Sequence, residues 1–215
     1  LKQSDPRPLY TQGSNNSIGY VGPMEGTDFH VAVRAPYAHD TILTHTRLTH
    51  GFVDSKDGGI LNTQAPSTHQ NFNYAVTQIK IPLISPEIGQ YQIYPDFKEI
   101  DKYKGVVRAW NFEVFRKRLT KAGMLDQNIP FTKATGAWSA LCYRAEIEAA
   151  LRTKGMAGFQ LLDLQDFPGQ GTALVGILDA FMESKNVISV EEWGQFCNDV
   201  VPLLEFEKYC WTNAE

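Results

Sequence analysis

Cysteine is scarce: three residues in 215, Cys142, Cys197 and Cys210. They are too few and too widely spaced for a disulfide framework or a thiolate zinc site, and they read as structural thiols. Long apolar runs are missing as well. The richest stretch, around Ile81-Pro82-Leu83-Ile84, falls far short of the roughly 18 residues a membrane-crossing helix needs. Positive charge is not in excess: 20 Lys and Arg stand against 24 Asp and Glu, for a formal net charge of −4. No broad basic field is available for a phosphate backbone, so no nucleic-acid partner is expected. The five histidines, His30, His39, His45, His50 and His69, include no pair at the three- or four-residue spacing that sets two imidazoles on one helix face, so a metal site has weak support. No serine lies in a G-x-S-x-G elbow, and Phe167-Pro168-Gly169-Gln170-Gly171 has neither the glycine spacing nor the lysine of a phosphate loop. The chain opens on Leu1-Lys2-Gln3-Ser4-Asp5 and not on Met, which suggests a piece of a longer polypeptide.

What is present describes one ordinary globular unit, 43% hydrophobic, with no internal repeat and no linker. Nine Tyr and four Trp suit stacking on sugar rings and core packing equally. Residues 1–6 look like the tail of a helix. Short strands are expected at Arg7–Gln12, which runs into the turn cluster Gly13-Ser14-Asn15-Asn16, and at Asp28–Arg34, where Phe29, Val31 and Val33 share one face. Residues 35–66 have no clear period, as functional loops do. Ser67 and Gln70 form a capping box that predicts a helix to about Lys80. A strand follows in which Ile81, Leu83, Ser85 and Glu87 share one side. Asn111 is placed to cap a helix ending at Gly123. A further helix is expected over Trp138–Arg152, with Trp138, Leu141, Cys142, Ile147, Ala150 and Leu151 as its apolar stripe. Then come a strand over Gly158–Leu164 and a helix from the Ser189/Glu192 capping box to Val201, stopped by Pro202. Strands alternating with helices imply an α/β chain with parallel strands. Four strand-plus-helix units amount to about half of an eight-stranded barrel.

Polar residues gather where strands end: Asn15 and Asn16, Glu87, and the group Asp163, Gln165 and Asp166. In a parallel α/β scaffold the loops after the strand C-termini open on one face, the usual location of an active site. A carboxylate after an apolar strand, flanked by Pro86, Ile88 and Gly89, is a reasonable nucleophile or general acid/base. It is also a reasonable helix cap or salt-bridge partner. Asp163, Gln165 and Asp166 fit binding of ligand hydroxyls, or capping of the Gly-rich turn that follows, better than acid/base work.

Two segments, Ser85-Pro86-Glu87-Ile88-Gly89-Gln90-Tyr91-Gln92 and Gly158-Phe159-Gln160-Leu161-Leu162-Asp163-Leu164-Gln165-Asp166-Phe167-Pro168-Gly169-Gln170-Gly171, resemble the catalytic barrel of glycoside hydrolase family 2. The likeness extends through Arg7-Pro8-Leu9-Tyr10 and Tyr209-Cys210-Trp211-Thr212-Asn213 and so covers nearly the whole chain. It implies a partial (β/α)8 TIM barrel, about strands five to eight with their helices, with residues 1–215 as the C-terminal half of a glycosidase catalytic barrel and 209–215 leading toward a following domain. It implies a retaining exo-acting β-glycosidase in which one carboxylate attacks the anomeric carbon and another protonates the leaving oxygen. Glu87-Ile88-Gly89 matches the family's nucleophile pattern, with Asn15, Asn16, Gln90, Tyr91, Asp163, Gln165 and Asp166 as substrate-binding groups. The implied partners are a β-linked carbohydrate and the missing N-terminal half of the same protein, and the implied chemistry requires no metal or organic cofactor.

The family's acid/base stands in an Asn-Glu dipeptide, and this sequence has none, so that residue is expected upstream of Leu1. Glu25 or Asp96 is the less favoured substitute. Leu162 stands where many members carry a Trp beneath the sugar, and Pro86 where close relatives often have His. Leu162 and the missing acid keep open an alternative reading, a non-catalytic carbohydrate-binding or scaffolding barrel.

Overall fold

The computed structural model describes residues 1–12, 22–33, 45–48, 67–207 and 210–215. In chain order its elements are strand β1 (His30–Val31), helix α1 (Asn73–Thr77), strand β2 (Leu83–Gly89), helix α2 (Trp110–Lys121), helix α3 (Asn128–Arg152), strand β3 (Met156–Leu162) and helix α4 (Val190–Gly194). Short 3-10 segments lie at Phe97–Lys102 and Leu125–Gln127. The described strands form a small open parallel sheet in the order β1–β2–β3, giving the mixed α/β class expected from the alternating pattern. In the β1–β2 ladder His30 faces Leu83 and Val31 faces Ile84.

The chain divides into two compact units, the first made of 1–88, 144–161 and 196–215 and the second of 89–143 and 162–195. The first contains nearly all of the sheet. Here β1 and the two residues after it, His30 to Val33, are all buried, the pattern of a parallel strand covered on both faces rather than one. Its apolar packing forms two clusters. Ala32, Ala75, Ile79 and Leu83 pack with Val76 and Ile81, while Leu48, Phe72, Ala149 and Ala150 pack with Ala145, Met156 and Phe159. Each large aliphatic or aromatic side chain buried this way contributes about 1.5–3 kcal/mol.

Local signals in the first unit were partly overridden. Residues 7–12 form no strand: the Tyr10 N–H donates to Asp28 Oδ2 at 2.9 Å and its carbonyl accepts from the Asp28 N–H at 2.8 Å, an anchor at one residue and not a ladder. Residues 1–5 make a single turn, closed by the Asp5 N–H on the Leu1 carbonyl. Helix α1 is five residues long and starts at Asn73, not at Ser67. Ser67 Oγ accepts from the His69 N–H, and Thr68 Oγ1 is committed to the backbone of Phe206. The turn before the helix is set instead by Asn71, whose Oδ1 accepts from the Asn73 N–H at 3.0 Å. Short polar side chains compete with the helix for backbone donors in this way.

In the second unit, α2 buries Phe112 and Leu119. Its core is Ala109, Phe112 and Leu174 with Ile100, Tyr103 and Phe115 around them. The Tyr94 ring meets Phe115 and Phe131 edge-on at 5.5 and 5.4 Å. Asn111 is the second residue of α2 and no cap; its amide donates to the Gly171 carbonyl at 3.0 Å. Gly123, at φ +70°, ends the helix turn as expected.

Helix α3 begins ten residues before the expected Trp138. Pro130 sits in its first turn, where no intrahelical N–H is required. Gly136 lets Val187 approach, since a Cβ there would lie 2.3 Å from a Val187 methyl. Within the expected stripe, Cys142, Ile147 and Ala150 are buried, but Trp138 and Leu141 are each 60% exposed. Helix α4 has both hydrogen bonds of the Ser189/Glu192 capping box, yet it stops at Gly194 and not at Val201.

Candidate active site at the end of β2

Strand β2 alternates as its sequence implies: Leu83 and Ser85 are fully buried, and Glu87, two residues on, continues the same face. The first unit brings a buried tetrapeptide, His45-Thr46-Arg47-Leu48, against this strand end. Its Thr46 N–H donates to the Val33 carbonyl at 2.9 Å. Thr46 Oγ1 donates to the Ala32 carbonyl at 2.7 Å and lies 3.3 Å from Ser85 Oγ. The Leu48 N–H donates to Oε1 of the fully buried Glu146 at 2.7 Å.

Between these anchors lies Arg47, whose side chain is 1% exposed and whose Nη1 donates to Glu87 Oε2 at 2.8 Å. The Glu87 side chain keeps 23% of its surface. Such a charge-assisted hydrogen bond is both short and directional. It fixes one carboxylate oxygen, while Oε1 has no hydrogen bond among the described residues. The site therefore holds an oriented, solvent-reachable carboxylate beside a buried positive charge. His30 on β1, the register partner of Leu83 four residues before Glu87, is fully buried, and that burial pushes its imidazole below the ordinary value and favours the neutral ring.

After Glu87 the backbone turns through two left-handed residues, Gly89 at φ +117° and Gln90 at φ +68°. The left-handed region is costly for a side-chain-bearing residue such as Gln90 and is typically kept only where surrounding structure imposes it. A Cβ on Gly89 would meet the Tyr143 ring at 2.6 Å.

The remaining expected ligand groups have different surroundings. Asn15 and Asn16 lie outside the described residues. Gln90, Tyr91, Asp163, Gln165 and Asp166 belong to the second unit, whereas Glu87 belongs to the first. Tyr91 is 8% exposed and meets Tyr143 edge-on at 5.2 Å. Tyr143 Oη lies within hydrogen-bonding distance of the carbonyls of Asp163, at 3.2 Å, and Val175, at 3.0 Å. Tyr91 and Asp163 are thus assembled around one ring. The Leu162–Asp163 peptide is cis, and burial raises the Asp163 carboxyl above its ordinary value.

Gln165 forms a parallel bridge with Leu178. Asp166, next to it, is 2% exposed, and its Oδ1 accepts from Lys185 Nζ at 2.6 Å and from the Gly176 N–H at 3.0 Å. Burial raises this carboxyl despite Lys185. Around it lie Glu99, pushed by burial to about 7, and Asp179. Burial alone would push Asp179 up too, but hydrogen bonds from Lys102 and the Glu183 and Phe181 N–H groups hold it below its ordinary value. Asp96 accepts from the Lys98 N–H and caps the 3-10 segment, and Glu25 is exposed.

Sequence reasoning missed Arg47, which lies in a stretch without period and pairs across forty residues, and Glu146, whose place on α3 gives no sign of its partner, the Leu48 N–H 98 residues away. It also missed Lys185, which carries no local signal. Among the described residues no three His, Cys, Asp or Glu side chains group as metal ligands, and no helix is long and apolar enough to cross a membrane. A scan of protein-family models finds none that matches the chain, and a search of curated proteins finds none similar to it.

Proposed function

We propose that the chain is the nucleophile-bearing part of a retaining exo-acting β-glycosidase of the glycoside hydrolase family 2 type, a partial (β/α)8 barrel with Glu87 as nucleophile. The observation that carries this reading is the Arg47–Glu87 pair. It offers an oriented carboxylate at the C-terminal end of a parallel strand, where barrel chemistry is performed. In the reaction, Glu87 Oε1 bonds to the anomeric carbon while the bond to the leaving oxygen breaks and that oxygen takes a proton from a second acid. Water then attacks the same carbon, gives up its proton to the second group and releases the Glu87 carboxylate. In the family that the chain resembles, that acid stands in an Asn-Glu dipeptide; residues 1–215 contain none, so the proposed second acid comes from outside this segment. The resemblance offers Asn15, Asn16, Gln90, Tyr91, Asp163, Gln165 and Asp166 as carbohydrate-binding groups.

A 2-deoxy-2-fluoro glycoside slows breakdown of the glycosyl ester and so traps it. Treating the full-length protein with such a reagent and mapping the modified peptide tests the proposal. The expected result is one label, on Glu87, and a Glu87→Gln variant with no label and no turnover. A label on any other residue overturns the assignment. The second reading, a non-catalytic carbohydrate-binding barrel, is favoured by one observation, the aliphatic Leu162 where a Trp floor is expected. It predicts sugar binding without any covalent adduct.

A further inference from the structure

Residues 104–121 contain six cations, Lys104, Arg108, Arg116, Lys117, Arg118 and Lys121, and one carboxylate, Glu113, in a chain whose net charge is −4. This charge asymmetry is concentrated on α2, in the second unit. The carboxylate is already used: Glu113 is held by Arg108 through two hydrogen bonds of 3.0 and 2.6 Å. The same guanidinium lies over the Trp110 ring, 5.0 Å from its centre. Trp110 is nevertheless 63% exposed, so one side of the indole is fixed by Arg108 and much of the ring remains open.

Trp110, Val114, Lys117 and Lys121 recur at intervals of four, three and four, and so form one stripe along the helix. At 1.5 Å per residue the stripe is about 16 Å long. Together with Arg116, Thr120, Leu125 and the Arg108-paired carboxylate Glu113 it lines an open groove of about 660 Å³. Arg116, Lys117 and Lys121 make no ion pair among the described residues. The groove therefore has a fixed aromatic platform at one end, unpaired cations at the other and a hydroxyl among them.

We propose that this groove binds an acidic polysaccharide, a run of sugar rings bearing carboxylate groups. One ring would stack on Trp110, and carboxylates farther along would pair with Arg116, Lys117 and Lys121. Single-stranded nucleic acid fits less well, because it calls for successive stacking aromatics along a basic track and this groove has one. The site does not involve Glu87, so it stands or falls separately from the proposed hydrolysis.

Affinity electrophoresis of the intact chain through gels containing polygalacturonate, neutral galactan or no polysaccharide, with a single-stranded oligonucleotide in parallel solution titrations, tests the proposal. Retardation is expected in polygalacturonate alone, weakening as salt screens the charges. Trp110→Ala and the double variant Lys117→Gln/Lys121→Gln should each lose tenfold or more in affinity with unchanged thermal unfolding, since all three side chains are on the surface. Three results would each overturn the proposal: no retardation in polygalacturonate, equal retardation in neutral galactan, or oligonucleotide binding tighter than polygalacturonate binding. Retention of full affinity by both folded variants would also overturn it.

Discussion

The Arg47 guanidinium, buried to 1% exposure, meets the Glu87 carboxylate at 2.8 Å across forty residues of sequence. A buried cation without an anion is strongly unfavourable, so each of these residues constrains the other. Arg47→Ala leaves a cavity and frees Glu87 to rotate, and is expected to cost about 3 kcal/mol. Arg47→Lys keeps the charge but loses the planar fork. Urea denaturation should show the alanine variant clearly less stable and the lysine variant between it and the parent. Equal midpoints for all three would show that the pair contributes nothing.

Gly89 is the second position whose replacement should be costly. Its φ of +117° disfavours any side chain, and an added Cβ would press on the Tyr143 ring at 2.6 Å. That ring cannot easily withdraw, being 1% exposed with its hydroxyl near two carbonyls. Gly89→Ala is expected to lose about 2–3 kcal/mol from strain and overpacking together. By calorimetry this corresponds to a fall in Tm of roughly 4–12 °C for a chain of this size.

Glu99 makes stability depend on pH. Its carboxyl titrates near 7 in the folded protein, raised from an ordinary 4.5 by burial, with Asp166 and Asp179 adding to the rise and Lys185 and Lys102 opposing it. Between those two values the folded state holds a proton that the unfolded state has released, so stability falls as pH rises from about 4.5 to 7 and levels off above that. The raised carboxyls of Asp163 and Asp166 act in the same direction. For Glu99 the change amounts to about 3 kcal/mol. Glu99→Gln should flatten the profile and be the more stable form at pH above the upper value. Denaturation midpoints across the range check this; a parent protein that grows more stable from acid to neutral pH would contradict it.

Lys185 and Asp166 form a buried pair, with side chains 6% and 3% exposed. Removing one partner, as in Lys185→Met, leaves an uncompensated carboxylate and is expected to cost about 3–5 kcal/mol. Replacing both, Lys185→Met with Asp166→Leu, should recover much of that loss. A double-mutant cycle measured by chemical denaturation gives the coupling. Additive losses would show that the two charges act independently.

The parts of the fold that were legible in the sequence are those governed by near neighbours. The Ser189/Glu192 capping box, the Gly123 stop and the alternation that puts Glu87 on the face of Leu83 and Ser85 all follow from spacing alone. Ser67 and Gln70 have the same spacing as the true box, yet Thr68 is drawn to Phe206, 138 residues away, and the helix starts only after Asn71. The early turns of α3 were obscured by Pro130 and Gly136, residues that break helices in general but here occupy a first turn and a close approach to Val187. Half of the candidate site was hidden for a related reason. Glu87 lies on a periodic strand, whereas Arg47 lies in a stretch without period, and nothing local joins the two.

The register of β1 against β2 also governs how the molecule is made. His30 meets Leu83 only after more than fifty intervening residues have been brought to closure, and no bond of that ladder repays the lost chain entropy beforehand. Refolding is therefore expected to be slow for a chain of this length, with the apolar strand segments left uncovered late and open to capture by neighbouring molecules at high concentration.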